Sequence, residues 1–284
     1  MKIARFRTGD GPVRLGRVDG DTLTDISDVP GVGTSLRALL PDLPLLRDAV
    51  LAADGARHAL ADVVLEAPVD DPQKYLGIGM NYAAHAEEAR QAGIPVPETQ
   101  MWFNKQVSCI VGPFADVERP AVSEQLDYEV ELAVVIGRRC RHVSRAEAPG
   151  VIGGYMVAND VSVRDWLAKR SPTFTLGKSF DTHGPLGPWL TTADEVPDPH
   201  DLELSLTVNG EERQRARTDD LIHDVYEQIA YLSTVMTLMP GDVLATGTPA
   251  GIGAPTQRWL KPGDVVRATV EGLGSIENTI VDAP

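Results

Sequence analysis

The chain has 284 residues, 41 of them acidic and 26 basic, for a formal net charge of −15. That excess of acid argues against a nucleic-acid binder, which follows phosphates with clustered Lys and Arg. At 43% hydrophobic and 24% charged residues, the composition is that of an ordinary globular protein, long enough for one large domain or two ordinary ones.

The first ten residues hold no apolar run of signal-peptide length, and no segment approaches the ~20 apolar residues of a membrane span. A cytoplasmic protein without membrane or nucleic-acid partners is expected. From Met1 to Ser27, apolar and polar residues alternate, with breaks at Gly9 to Pro12 and Asp19 to Asp21, the pattern of short antiparallel strands. From Ser35 to Val64 the spacing becomes helical, through Leu36, Leu39, Leu40, Leu45, Leu46, Val50 and Leu51, interrupted by Pro41 and Pro44. This predicts a small helical appendix. Ala67 to Gln73, with two prolines and two aspartates, Asp70 and Asp71, is the best candidate linker. A boundary near residue 70 divides a small α+β N-terminal domain, residues 1–70, from a larger one, residues 71–284. In the larger part, strands are predicted at Glu131 to Gly137, Gly154 to Ala158, Leu202 to Val208, Asp242 to Thr246 and Val265 to Val270, separated by turns such as Asn209-Gly210. Ile222, Val225, Ile229, Leu232 and Met236 share one helical face. One such helix among many strands predicts a mainly β protein with some α.

Within Asp127 to Ile136, strand alternation turns Glu129 and Glu131 to one face and Val130, Leu132, Val134 and Ile136 to the other. Two like charges at the start of so apolar a run call for a cation between them. Asp160, at the end of the apolar segment Gly154 to Asp160, could add a third carboxylate and complete a site for a hard divalent ion such as Mg²⁺ or Mn²⁺. The alternative is the wet face of an edge strand with Lys or Arg partners. His85 and Glu88, three apart on a helix that Asn81 could cap, form either a general base with its orienting acid or a surface pair. Gly177-Lys178-Ser179 lacks the earlier glycine of a phosphate loop, position 172 being Pro. His58, His142, His183 and His200 show no ligand spacing and are expected at the surface or in loops. Cys109 and Cys140 read as buried small apolar side chains.

Together these segments resemble the fumarylacetoacetate hydrolase superfamily, in its acylpyruvate and 2,4-diketo-3-deoxy-sugar-acid hydrolase branch, over nearly all of residues 72–284. The resemblance is carried by Gly77 to His85, Asp127 to Leu132, Asn159 to Arg164, Gly177 to Thr182 and Pro240 to Gly251. It implies a mixed β-sandwich or roll, usually a homodimer, with Mg²⁺ or Mn²⁺ (Ca²⁺ in some crystals) on Glu129, Glu131 and Asp160. It implies also that Asn81, Tyr82, Arg164 and Thr248 meet the substrate and that His85, Glu88 and Lys178 are catalytic. Arg164 and Lys178 could equally be structural partners of the metal carboxylates, and both roles can hold at once. The implied reaction is hydrolysis of the C–C bond of a 2,4-dioxo acid to pyruvate or a related 2-oxo acid and a carboxylic acid. Decarboxylation of an oxaloacetate-like acid, isomerisation of an unsaturated hydroxy-diacid, and an idle metal-braced scaffold are the alternatives. Leu167, Ala168 and Met80 stand where many relatives have polar residues, which predicts a more apolar or differently sized distal pocket. The segment Glu87 to Gln100, with Gly93, Pro95 and Pro97, reads as a lid.

Overall fold

In the computed structural model, which describes residues 1–91 and 93–284, the predicted strands of the larger part lie at Val130–Ile136, Ile152–Asn159, Glu203–Val208, Val243–Ala245 and Val265–Val270. The main sheet has twelve strands. Its order runs Arg57–Ala59, Thr22–Asp25, Arg14–Asp19, Lys2–Arg7, Gly184–Thr192, Ile152–Asn159, Val130–Ile136, Val243–Ala245, Tyr75–Gly79 and Met101–Lys105. Val64–Glu66 pairs beside Lys2–Arg7, and Ile110–Val111 beside Gly184–Thr192.

Val130–Ile136 lies deep in this sheet and is buried at every position, so both of its faces must be covered by other layers. Val130, Leu132, Val134 and Ile136 pack towards a second, five-stranded sheet, through Leu204, Leu206, Val266, Ala268 and Ile276, and towards Ile229 and Leu232. Ala133 and Val135 point the other way, to Leu36, Leu39, Leu40, Leu43 and Val50. Those leucines belong to two short helices, α1 (Leu36–Leu39), capped by the Ser35 hydroxyl, and α2 (Leu43–Leu51), which opens with Pro44 in its first turn. Ile229 and Leu232 belong to the predicted C-terminal helix, found at Val225–Val235. The architecture is therefore mainly β with some α, a mixed sandwich carrying an α+β N-terminal part.

Two local expectations change. The helical appendix ends at Leu51, because Arg57–Ala59 and Val64–Glu66 become strands that cover the free edges of Thr22–Asp25 and Lys2–Arg7. Pairing an open edge outweighs weak helical spacing. The expected linker is largely packed: Ala67 is 4% and Val69 1% exposed, and the Arg5 guanidinium donates to Ala67 O and Asp70 at 2.7 and 2.6 Å. The chain start is held in the same way, since Lys2 pairs with Thr191 and the Met1 ammonium donates to the Thr192 hydroxyl at 2.6 Å. No helix among the described residues is long and apolar enough to cross a membrane. Cys109 and Cys140 are free and buried.

Candidate metal and acid–base site

The three carboxylates meet because antiparallel pairing brings the start of Val130–Ile136 to the end of Ile152–Asn159, with Val130 opposite Asn159 and Glu131 opposite Ala158. Glu129 N donates to the Asn159 side-chain oxygen at 2.9 Å, and Asp160 N to Glu129 O at 2.8 Å. Glu129, Glu131 and Asp160 are 6%, 1% and 0% exposed, and one oxygen from each lies within 4.8 Å of the others. The edge-strand alternative fails on this burial.

Three cations line the site, but among the described residues none of them bridges Glu129 and Glu131 as expected. Lys178 Nζ donates to Glu129 at 2.8 Å and to Asp160 at 2.6 Å. Arg164 donates to Asp127 at 2.7 Å and to Glu129 at 2.5 Å. Lys105 Nζ, fully buried, donates to the other Asp160 oxygen at 2.6 Å. Lys105 was not anticipated; a lone lysine 55 positions before its partner leaves no spacing signal. Among the described residues Glu131 receives only the Gly247 amide, at 2.7 Å. Burial alone would raise the Glu129 carboxyl, but Lys178 and Arg164 reverse this and hold it at about 2. Burial works against Lys178 too, yet Asp160 and Glu129 raise its pKa. Glu131 makes no ion pair among the described residues: burial, then the charges of Asp160 and Glu129, outweigh the pull of Lys178 and push it well above the usual carboxylate value. Four acids, counting Asp127, thus face three cations, and the uncompensated charge sits on the triad. The Tyr82 hydroxyl, buried and raised by burial and by Glu131, has no partner among the described residues. An all-oxygen donor set with one negative charge to spare suits a hard divalent cation.

His85 and Glu88 lie on helix α3 (Ala83–Gln91), with His85 Nδ1 3.2 Å from the Glu88 carboxylate. His85 is near enough to Glu129 that its positive form would help to lower that carboxyl. Asn81 does not cap α3. Its amide nitrogen donates to His223 O and Thr246 O at 3.0 and 2.8 Å, and its oxygen accepts from His223 N at 2.9 Å. With both amide protons engaged, Asn81 braces the start of α3 against the strand end that supplies Gly247. Thr248 donates its hydroxyl proton to Val130 O at 2.9 Å and accepts from Gln214 at the same distance, so an incoming oxygen would compete for that proton. Leu167 lies on helix α4 (Arg164–Lys169) against Gly177, where an added Cβ would fall 2.5 Å from its methyl. Met80 adopts φ +54, a left-handed conformation, between the Tyr75–Gly79 strand and α3. Residue 92, inside the expected lid, lies outside the described residues. His183 is a loop residue as expected, but it is wholly buried rather than at the surface. It donates from Nε2 to Glu118 O at 2.8 Å and packs at a tilt against Phe180, and burial lowers its pKa to about 3.

Fold and site together define a β-rich enzyme of the carboxylate-centred hydrolase and isomerase type. Residues 74–281 match the family model described as fumarylacetoacetate (FAA) hydrolase C-terminal, and residues 1–68 the model Rv2993c-like, N-terminal; the chain belongs to the fumarylacetoacetate hydrolase family. It is similar to maleylpyruvate hydrolase from Sphingobium sp. SYK-6, solved in complex with manganese(II) and pyruvate, at 37% identity and a TM-score of 0.86 over 100% of each chain. It is similar also to a 5-carboxymethyl-2-hydroxymuconate delta-isomerase from Mycobacterium smegmatis, at 38% identity, TM-score 0.80, and to a fumarylacetoacetate hydrolase from Exiguobacterium antarcticum, at 36% identity, TM-score 0.86, each over 100% of both chains.

Proposed function

We propose that the protein hydrolyses the C–C bond of a 2,4-dioxo acid of the acylpyruvate or diketo-deoxy sugar-acid type, releasing pyruvate or a related 2-oxo acid and a carboxylic acid. The observation that carries this reading is a His–Glu pair beside three buried carboxylates. Likeness to a hydrolase solved with manganese and pyruvate supports it. A divalent ion on Glu129, Glu131 and Asp160, Mg²⁺ or Mn²⁺, would supply Lewis acidity to the 2-oxo acid end and ease the departure of the electron pair.

The chain's own groups do the rest. The Arg164 guanidinium pairs with the substrate carboxylate, with Thr248 and Tyr82 beside it. His85, oriented by Glu88, takes a proton from the water that attacks the distal carbonyl, and Lys178 donates to the oxygen that gains charge. As the C3–C4 bond breaks, its electron pair stays on C3 and is protonated by His85, so the base is regenerated. The loop after α3, residues 93–100, closes over the site on binding and excludes bulk water. The catalytic work belongs to residues 71–284, with residues 1–70 as a supporting unit built onto the same sheet, and the working form is a cytoplasmic homodimer.

The test is proton NMR with a simple acylpyruvate in the presence of Mg²⁺ and again with chelator, using wild type and His85→Ala. Metal-dependent appearance of pyruvate and free acid is expected, with His85→Ala slower by about 10²–10⁴-fold and unchanged in metal binding. Full hydrolysis by His85→Ala would remove the assignment of the base. A second reading, isomerisation of an unsaturated hydroxy-diacid, draws on the likeness to the Mycobacterium smegmatis isomerase and needs no hydrolytic base. It gains if acylpyruvate is inert while a hydroxymuconate-type diacid is converted.

A further inference from the structure

Helix α3 carries His85 but lacks the usual means of holding its own beginning. The chain enters it at Tyr82, whose carbonyl accepts from Ala86 N at 2.9 Å, and a phenol is not among the side chains that cap a helix start. Its first turn holds no acidic residue to answer the positive end of the helix dipole. The missing group arrives from 136 positions away: Asp220 Oδ2 accepts from Ala84 N at 3.0 Å. The surrounding segment is laced to the same place. Leu221 bridges Tyr82, Ile222 N donates to Asn81 O at 2.7 Å, and His223 exchanges hydrogen bonds with the Asn81 side chain.

We propose that Asp220 is a positioning residue for the acid–base pair, capping α3 from across the chain and so fixing His85 beside the triad. The inference rests on the role given to His85 above. A nine-residue helix is marginal without outside support, and His85 lies one residue beyond the amide that Asp220 holds. Loosening that amide frees the imidazole from the orientation Glu88 imposes. Glu131 and Lys178, held by other elements, are left undisturbed.

Three variants test this. Asp220→Ala removes the acceptor, Asp220→Asn keeps a capping oxygen without charge, and Asp219→Ala removes a neighbouring exposed charge that makes no such contact. Amide hydrogen exchange of the first turn of α3 and the rate of His85 carbethoxylation, both read by mass spectrometry, need no substrate. Both are expected to rise about tenfold in Asp220→Ala, to return most of the way in Asp220→Asn, and to stay at wild type in Asp219→Ala. With acylpyruvate, Asp220→Ala lowers kcat about tenfold with little change in KM, and causes no further loss in a His85→Ala background. Unchanged exchange and His85 reactivity in Asp220→Ala would overturn the proposal, as would an undiminished effect on kcat in the His85→Ala background. If wild type fails to turn over acylpyruvate, the proposed reaction falls, while exchange and reactivity still decide whether Asp220 holds His85.

Discussion

At one end of the paired strands Val130–Ile136 and Ile152–Asn159, Glu129, Glu131 and Asp160 crowd together with Lys105, Lys178 and Arg164. At the other end, Gly137 and Gly153 let two backbones touch, and a Cβ on Gly137 would fall 2.6 Å from Gly153 Cα. The two ends share a sheet and a core, yet one stabilises the fold by close packing while the other holds buried like charges at a cost to it. What separates them is charge, so substitutions at the two ends should differ in metal dependence and in pH dependence as well as in size.

The largest effect is expected from Asp160→Ala, which strips the buried Lys105 and Lys178 of a shared partner. Breaking such a network costs about 3–5 kcal/mol, read by chemical unfolding, and calorimetry should find divalent-ion binding lost as well. Retained tight Mn²⁺ binding would remove Asp160 from the site. Gly153→Ala comes next. Its methyl would meet Leu40 Cδ2 at 2.8 Å and Gly137 Cα at 2.9 Å, and overpacking against backbone should cost about 1–3 kcal/mol. Metal affinity and the pH profile of activity should not move; a change in either would show that the two ends are coupled.

Glu131→Gln should act more weakly and with the opposite sign. Because Glu131 is raised well above 4.5, the folded state holds that proton more tightly than the unfolded chain does. The metal-free protein therefore loses stability from this group as pH rises from 4.5 towards neutrality. Melting in chelator should place Glu131→Gln above wild type at pH 7, with the gap closing towards pH 4.5, and metal binding should be lost. Glu129 contributes in the other direction: held at about 2, it stabilises the fold above 4.5 and loses that contribution as pH falls towards 2. A gap independent of pH would show that Glu131 is not the strained carboxylate.

Much of this was legible where the signal is local. The alternation from Asp127 to Ile136 placed Glu129 and Glu131 on one face, and their carboxylates do converge. The three-residue interval between His85 and Glu88 gave a pair that the structure joins at 3.2 Å. The helix at Val225–Val235 followed from its apolar spacing, and its Asp224–Glu227 capping box explains its sharp start. Asn81 stands where a helix cap would, yet its partners, His223 and Thr246, are more than 140 residues away. Lys105, Gln214 and Asp220 carried no readable signal at all, since each acquires its meaning from a partner distant in the chain. The strands Arg57–Ala59 and Val64–Glu66 were hidden for the same reason, their apolar content being too slight to show what edge they would cover.

By itself the sequence determined the class of the fold and the shared face of Glu129 and Glu131, because side-chain periodicity and short-range spacing are properties of consecutive residues; the family, and with it Asp160 as the third acid, followed from the resemblance of its motifs. Tertiary structure alone decided which cations neutralise those acids, which carboxylate is left without one, and what holds the helix that carries His85. These depend on contacts 18 to 136 residues apart, and electrostatic energy in a buried site is set by distance through space, to which separation along the chain is blind.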